Sequence, residues 1–188
     1  MKSNSQLVRL FVAVPVPVQI AQELERWTKD NRDKVPFRKW IHPQDYHITI
    51  QFLGDTTIDR IDGLQTALSS IKGQPVSLML NGAGFFGATK APRVLWAAVA
   101  GNLPGLNDLH TSVIQATRAL GYVPEDRPYA AHITLARSYV GENEFCVEAI
   151  QSAPEGVKWE ADRFTLMRTH MNASPMYEMI GSFPLFET

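Results

Sequence analysis

The sequence predicts an α+β protein built as two similar lobes, each giving one histidine to a shared cleft. Three observations carry that reading. The triplet His-Ile-Thr occurs twice, at His47-Ile48-Thr49 and at His132-Ile133-Thr134. Each copy lies in a strand-like apolar run, where alternation puts His and Thr on one face with apolar residues behind them. The elements around the copies also repeat, at an offset of 85 residues from 47 to 132. Each half reads strand, helix, His-x-Thr strand, helix, strand.

Residues 8–14 form the first apolar strand, and Pro15 and Pro17 precede a helix with Ile20, Leu24 and Trp27 on one face. The charged stretch 29–39 reads as an exposed loop, and residues 47–53 as the first His-x-Thr strand. Ile58, Ile61, Leu64, Leu68 and Ile71 mark a second helix, with Gly73 as its expected C-cap. A strand follows at 76–80. Residues 81–87 (Asn-Gly-Ala-Gly-Phe-Phe-Gly) fall where the lobes would join, and their glycines suit turns and close backbone approach. They lack the Gly-Lys-Ser/Thr of a phosphate loop. The second half opens with a strand at 94–100 and a helix carrying Leu106, Leu109, Val113 and Leu120, closed by Gly121. The second His-x-Thr strand covers 132–136. Phe145, Ala149 and Ile150 mark a weaker helix, and an apolar strand runs over about 157–166.

At 188 residues and 45% hydrophobic, the chain can bury a core as one bilobal domain over 1–188, with interwoven pseudo-repeats of about 8–85 and 93–170. A net charge of −1 argues against a protein coated in positive charge for bulk nucleic-acid binding, but leaves room for a local basic groove from Arg93, Arg127, Arg137, Arg163 and Arg168 in the second half. The single cysteine, Cys146, excludes an internal disulfide and suits a reducing, cytoplasmic setting. No segment has the form of a signal peptide or the length of a membrane span. A monomer without an obligate protein partner is expected, because one chain completes the cleft.

Two imidazoles with ordinary pKa values of about 6.5 can run acid–base chemistry near neutral pH, one neutral and one charged. A threonine two residues on can donate its hydroxyl proton to a phosphate oxygen. A lone His-x-Thr would most often be a satisfied histidine beside a core; its duplication in matching places favours catalysis. No metal is expected, because neither motif has a carboxylate or cysteine on its face and no His-x-x-x-His spacing occurs. No cofactor is expected either. His42 reads as a surface residue entering the first motif strand, His110 as part of the long helix, and His170 as part of a late turn.

Residues 9–14 (Arg-Leu-Phe-Val-Ala-Val), 40–54 (through Pro-Gln-Asp-Tyr-His-Ile-Thr-Ile-Gln-Phe-Leu-Gly), 92–96 (Pro-Arg-Val-Leu-Trp) and 127–137 (Arg-Pro-Tyr-Ala-Ala-His-Ile-Thr-Leu-Ala-Arg) carry a resemblance. They are similar to the LigT-like RNA 2′,3′-cyclic phosphodiesterases of the two-histidine phosphoesterase superfamily. The resemblance implies a bilobal fold: two pseudo-symmetric lobes of antiparallel sheet, helices on the outer faces and a central cleft. It implies hydrolysis of RNA 3′ ends, or nucleotides, that bear a 2′,3′-cyclic phosphate. His132 would then be the proton acceptor and His47 the proton donor, with Thr49 and Thr134 on the non-bridging oxygens. Arg137, Tyr129 and Phe52 would bind substrate. The residues alone do not choose between the histidines.

Two features depart from this pattern. Ala131 stands where the family commonly has proline. Strict alternation from His132 puts Ala136, not Arg137, on the histidine face, so Arg137 needs a bulge; failing that, Arg127 or Arg168 takes its role. For base stacking the candidates are Phe85, Phe86, Tyr129 and Trp40, at least half of which should be core, while Trp96 should be core outright. The competing readings are 2′–5′ RNA ligation, action on 2′,5′-linked oligonucleotides, and a non-catalytic RNA-end-binding module.

Overall fold

Apolar alternation in nine segments closes one antiparallel sheet in the computed structural model, which describes residues 6–186. The strands are β1 (Leu7–Pro15), β2 (Phe37–Trp40), β3 (His47–Thr57), β4 (Val76–Ala88), β5 (Ala91–Gly101), β6 (His132–Tyr139), β7 (Glu155–Ala161), β8 (Arg163–Thr169) and β9 (Tyr177–Pro184). Their order is β7-β4-β5-β6-β3-β1-β8-β9, with β2 paired to β6. The two motif strands, β3 and β6, meet at the middle through the single register pair Ile48–Ile133. Strand β4 pairs with β5 and β7, while β8 pairs with β1 and β9. The last strand of each half of the sequence therefore lies in the sheet half opened by the other.

Three α-helices pack their apolar stripes on the core face: α1 (Val18–Asn31), α2 (Ile61–Ser69) and α3 (Leu103–Arg118). Ile20, Leu24 and Trp27 are the buried face of α1, and Leu106, Leu109 and Val113 that of α3. Past α3, Gly121 has φ +94°, and the N–H groups of Gly121 and Tyr122 donate to the carbonyls of Arg118 and Thr117. That is the left-handed stop expected of glycine at this place.

Several expectations change. Helix α2 ends at Ser69 with Ser70 as its cap, because Ser70 N–H already reaches back to the last turn, so Gly73 is not the C-cap. The stretch 29–39 is not one loop: α1 runs to Asn31, and Phe37, buried against Tyr139 and Phe145, starts β2. Residues 81–87 are not a turn between lobes but the bulged second half of β4. Gly84 is needed there because a Cβ would sit 2.3 Å from the Trp96 ring. The run 157–166 is two strands parted by Asp162, and residues 147–150 make only a short 3-10 turn. Strand β9 was not foreseen. Trp96 is not core: it alternates with buried Leu95 and Ala97 and so faces the other side of the sheet.

Candidate active site

The cleft lies where β3 and β6 meet, with His110 and Ile114 of α3 reaching one side of it. It has a volume of about 400 Å³ and holds His47, Thr49, Phe52, His132, Thr134 and Arg137 on its walls. Alternation alone would not bring these six together. Ala13 pairs with Thr49 but Val12 with Gln51, leaving Ile50 as an extra residue in β3. Trp96 pairs with Thr134 but Leu95 with Ala136, leaving Leu135 as the extra residue in β6. Each bulge turns two consecutive residues to the core (Ile50 with Gln51, Leu135 with Ala136) and returns the next one to the cleft. Those next residues are Phe52 and Arg137, at matching places in the two strands.

Both imidazoles are tethered in the same way. His47 Nδ1–H donates to the Asp45 carbonyl at 2.7 Å, and His132 Nδ1–H to the Ala130 carbonyl at 2.8 Å. With Nδ1 so committed, the neutral rings present Nε2 as an acceptor toward the cleft. The Thr49 hydroxyl donates to His47 Nε2 at 2.9 Å. Aromatic rings hold each imidazole. Phe11 and Tyr177 lie 4.8 Å and 5.3 Å from His47, and Phe86 and Trp96 lie 5.1 Å and 6.2 Å from His132.

The electrostatics of the two halves differ. Burial lowers His47 to about 4, against the raising influence of its hydrogen bond to the Asp45 carbonyl and of the Asp45 carboxylate. His132 is more open; burial lowers it too, helped by Arg137 and Arg127. Both rings are therefore neutral at pH 7. Asp45 does more than neighbour His47: its buried carboxylate accepts the N–H of Met176 at 2.9 Å and of Tyr177 at 3.3 Å. One residue thus fixes the His47 ring and the strand start that brings Tyr177 against it.

The other expected residues fall in varied places. Tyr129 lines the cleft, donates its hydroxyl to the Thr49 carbonyl at 2.9 Å and stacks on His110 at 4.2 Å; burial raises its phenol. Arg127 lines the cleft but is paired to Glu125 at 2.7 Å. Phe86 is a wall of the site. Phe85 packs on Phe145, and Trp40 lies under Arg32 beside the core, so neither reaches the cleft. Arg168 lies on β8, outside the cleft. His42 accepts the Gln44 N–H, and His170 pairs with Glu178. Sequence reasoning missed Asp45, His110 and Tyr177 but named Arg93, which lines the cleft. Only Asp45 carried a signal, its place two residues before His47; the others reach the cleft through long-range pairing. Among the described residues no three His, Cys, Asp or Glu side chains come together as a metal-ligand group. No helix among them is long and apolar enough to cross a membrane.

Comparison with known proteins agrees with this geometry. The model of the LigT-like phosphoesterase family matches residues 14–96 and 100–177. An RNA 2′,3′-cyclic phosphodiesterase of Geobacillus stearothermophilus is 39% identical over 93% of this chain, which spans 56% of that protein's length. One from Bacillus subtilis is 37% identical over 93% of this chain and 95% of its own. Among solved structures, E. coli LigT complexed with 3′-AMP superposes with a TM-score of 0.79 at 22% identity, covering 97% of this chain and all of that one. A Thermus thermophilus protein gives 0.77 at 25% identity, over 96% of this chain and all of its own. With both His-x-Thr strands inside the matched residues, the chain belongs to the LigT-like phosphoesterase family.

Proposed function

We propose that this chain hydrolyses RNA 2′,3′-cyclic phosphate ends to 2′-phosphates, using two imidazoles and no cofactor. The observation that carries the reading is the matched pair of histidines, each with Nδ1 committed to a carbonyl and Nε2 turned into one cleft. His132 Nε2 takes a proton from water as its oxygen attacks phosphorus. The bond from phosphorus to the 3′ oxygen breaks, and that oxygen takes the proton carried by His47 Nε2. The Thr49 and Thr134 hydroxyls and the Arg137 guanidinium hold the non-bridging oxygens, where charge builds up. Phe52 and Tyr129 flank the nucleoside.

The assignment of donor and acceptor follows the family resemblance, and burial pulls against it by favouring the neutral form of His47. A bound phosphate anion favours imidazolium on both rings, which restores the proton that His47 must carry. The reading takes residues 1–188 as one bilobal domain of two interwoven repeats, supported by the exchange of β4 and β8 between the sheet halves. It takes the protein to act as a cytoplasmic monomer, supported by a cleft completed within one chain and by the free Cys146, which suits a reducing compartment.

The test is incubation with an RNA ending in 2′,3′-cyclic phosphate in the presence of EDTA, followed by identification of the terminal phosphate. A 2′-phosphate product supports the reading. A 3′-phosphate overturns the regiochemistry, loss of turnover in EDTA overturns metal independence, and joining to a 5′-hydroxyl strand moves the case to ligation.

A further inference from the structure

The net charge of the chain hides a local excess of cations at one end of the cleft. Along β6 the cleft begins beside the mutually neutralised Glu125–Arg127 pair, passes His132 and Thr134, and ends at Arg137. Arg137 is directly opposite Lys39 of β2 on one side and Val94 of β5 on the other. Directly opposed residues of an antiparallel pair share a face, with Cβ atoms about 5 Å apart. Arg137 and Val94 both line the cleft, and so does Arg93. Lys39 therefore stands on the cleft side, and its Nζ reaches the Met176 sulfur at 3.6 Å, beside the strand that carries Tyr177.

Like charges set directly opposite one another destabilise a sheet. Among the described residues none of Lys39, Arg93 and Arg137 has an ion-pair partner. The carboxylate at this end, Asp45, is committed to two backbone N–H groups. Three cations outside any ion pair, set against the one Asp45 carboxylate, still leave more positive charge than a single cyclic phosphate monoanion needs.

Building on the proposed function, we infer that Lys39 and Arg93 form a second phosphate subsite next to Arg137, one that takes the internucleotide phosphate 5′ to the cyclic end. The RNA then leaves the cleft over β2, and oligonucleotide ends are preferred to free nucleoside 2′,3′-cyclic phosphates. The test compares kcat/KM for uridine 2′,3′-cyclic phosphate and for a trinucleotide with the same end. It uses wild type, Lys39→Ala, Arg93→Ala and the charge-keeping Lys39→Arg, at about 50 and 200 mM salt. The expected result is a trinucleotide preference that falls about tenfold in each alanine variant and is kept by Lys39→Arg. The salt slope for the trinucleotide should drop by about one per contact removed. Equal treatment of the two substrates by wild type, or equal loss on both in the variants, overturns the subsite. If wild type turns over neither substrate, the proposed function fails, and the subsite is read from binding of a 5′-labelled trinucleotide ending in 2′-phosphate. There, a salt slope in the Lys39→Ala/Arg93→Ala double variant equal to that of wild type overturns it.

Discussion

Burial pulls both imidazoles below the ordinary histidine value, and this sets the pH dependence of turnover. The productive ionisation has one proton on the pair. The alkaline limb of kcat/KM reports loss of that proton from the free enzyme, so it should lie below about pH 6.5, with the acid limb near 4. The limbs of kcat should lie higher, because bound phosphate favours imidazolium. Rates measured over pH 4–9 check this; a kcat/KM limb above 7 contradicts it. The same shift acts on stability. The folded His47 sits below its unfolded value, so the unfolded chain binds more protons between about pH 6.5 and 4. Stability is full above that window and falls as pH falls through it. His47→Gln should lessen the drop in urea midpoint between pH 7 and 5. Asp45 supports this site through the backbone it holds: Asp45→Ala should lower kcat about tenfold by freeing Tyr177 and leaving two N–H groups unpaired. Asp45→Asn, which keeps one acceptor oxygen, should recover part of it.

The bulges in β3 and β6 are the elements that make a site out of two strands. The one in β3 is tied to α3 by the buried Thr117 hydroxyl, which donates to Gln51 Oε1 at 2.7 Å. Gln51 Nε2 has no partner among the described residues, so Thr117→Val would strand the whole amide, at a cost of about 1–3 kcal/mol. Adding Gln51→Leu should return much of that loss, and urea denaturation of the two variants checks both. These bulges also mark how far the sequence could be read. His47, Thr49, His132 and Thr134 were legible because strand alternation and the duplicated triplet are local patterns. That Arg137 would face the cleft was not, since nothing in Leu135-Ala136 announces an extra residue; the bulge appears only in the register against Leu95 and Trp96. Trp96 was misread for a related reason. An apolar run says which residues avoid water, but not that one of them walls a histidine while its neighbours fill the core. Helices α1 and α3 were legible from their stripes, whereas β2 was masked by the charges of Arg38 and Lys39 around Phe37 and Trp40.

At the scale of the whole molecule, β4 and β8 each lie in the sheet half opened by the other part of the chain, an exchange that should make the two halves unfold together. Neither half can lose its shape without pulling out a strand covalently continuous with the other. Ile48 and Ile133, both fully buried, seal the seam. Unfolding should therefore be a single two-state transition, with tryptophan fluorescence and far-UV circular dichroism giving coincident curves. Separate transitions would contradict this. A one-piece scaffold also explains how two half-buried imidazoles can be held facing each other with no side chain shared between them.

The central claim is that the two histidines divide one proton transfer, and the substrate's leaving atom separates their roles. His47→Ala and His132→Ala proteins would be assayed in single turnover on a 2′,3′-cyclic phosphate and on its analogue with sulfur bridging at the 3′ position. Sulfur leaves without needing a proton donor. The predicted result is a loss of about 10²–10⁴-fold for both variants on the oxygen substrate. On the sulfur substrate His47→Ala should approach wild type while His132→Ala stays slow. Rescue of His132→Ala instead would reverse the assignment, and no loss in either variant would contradict the two-histidine account.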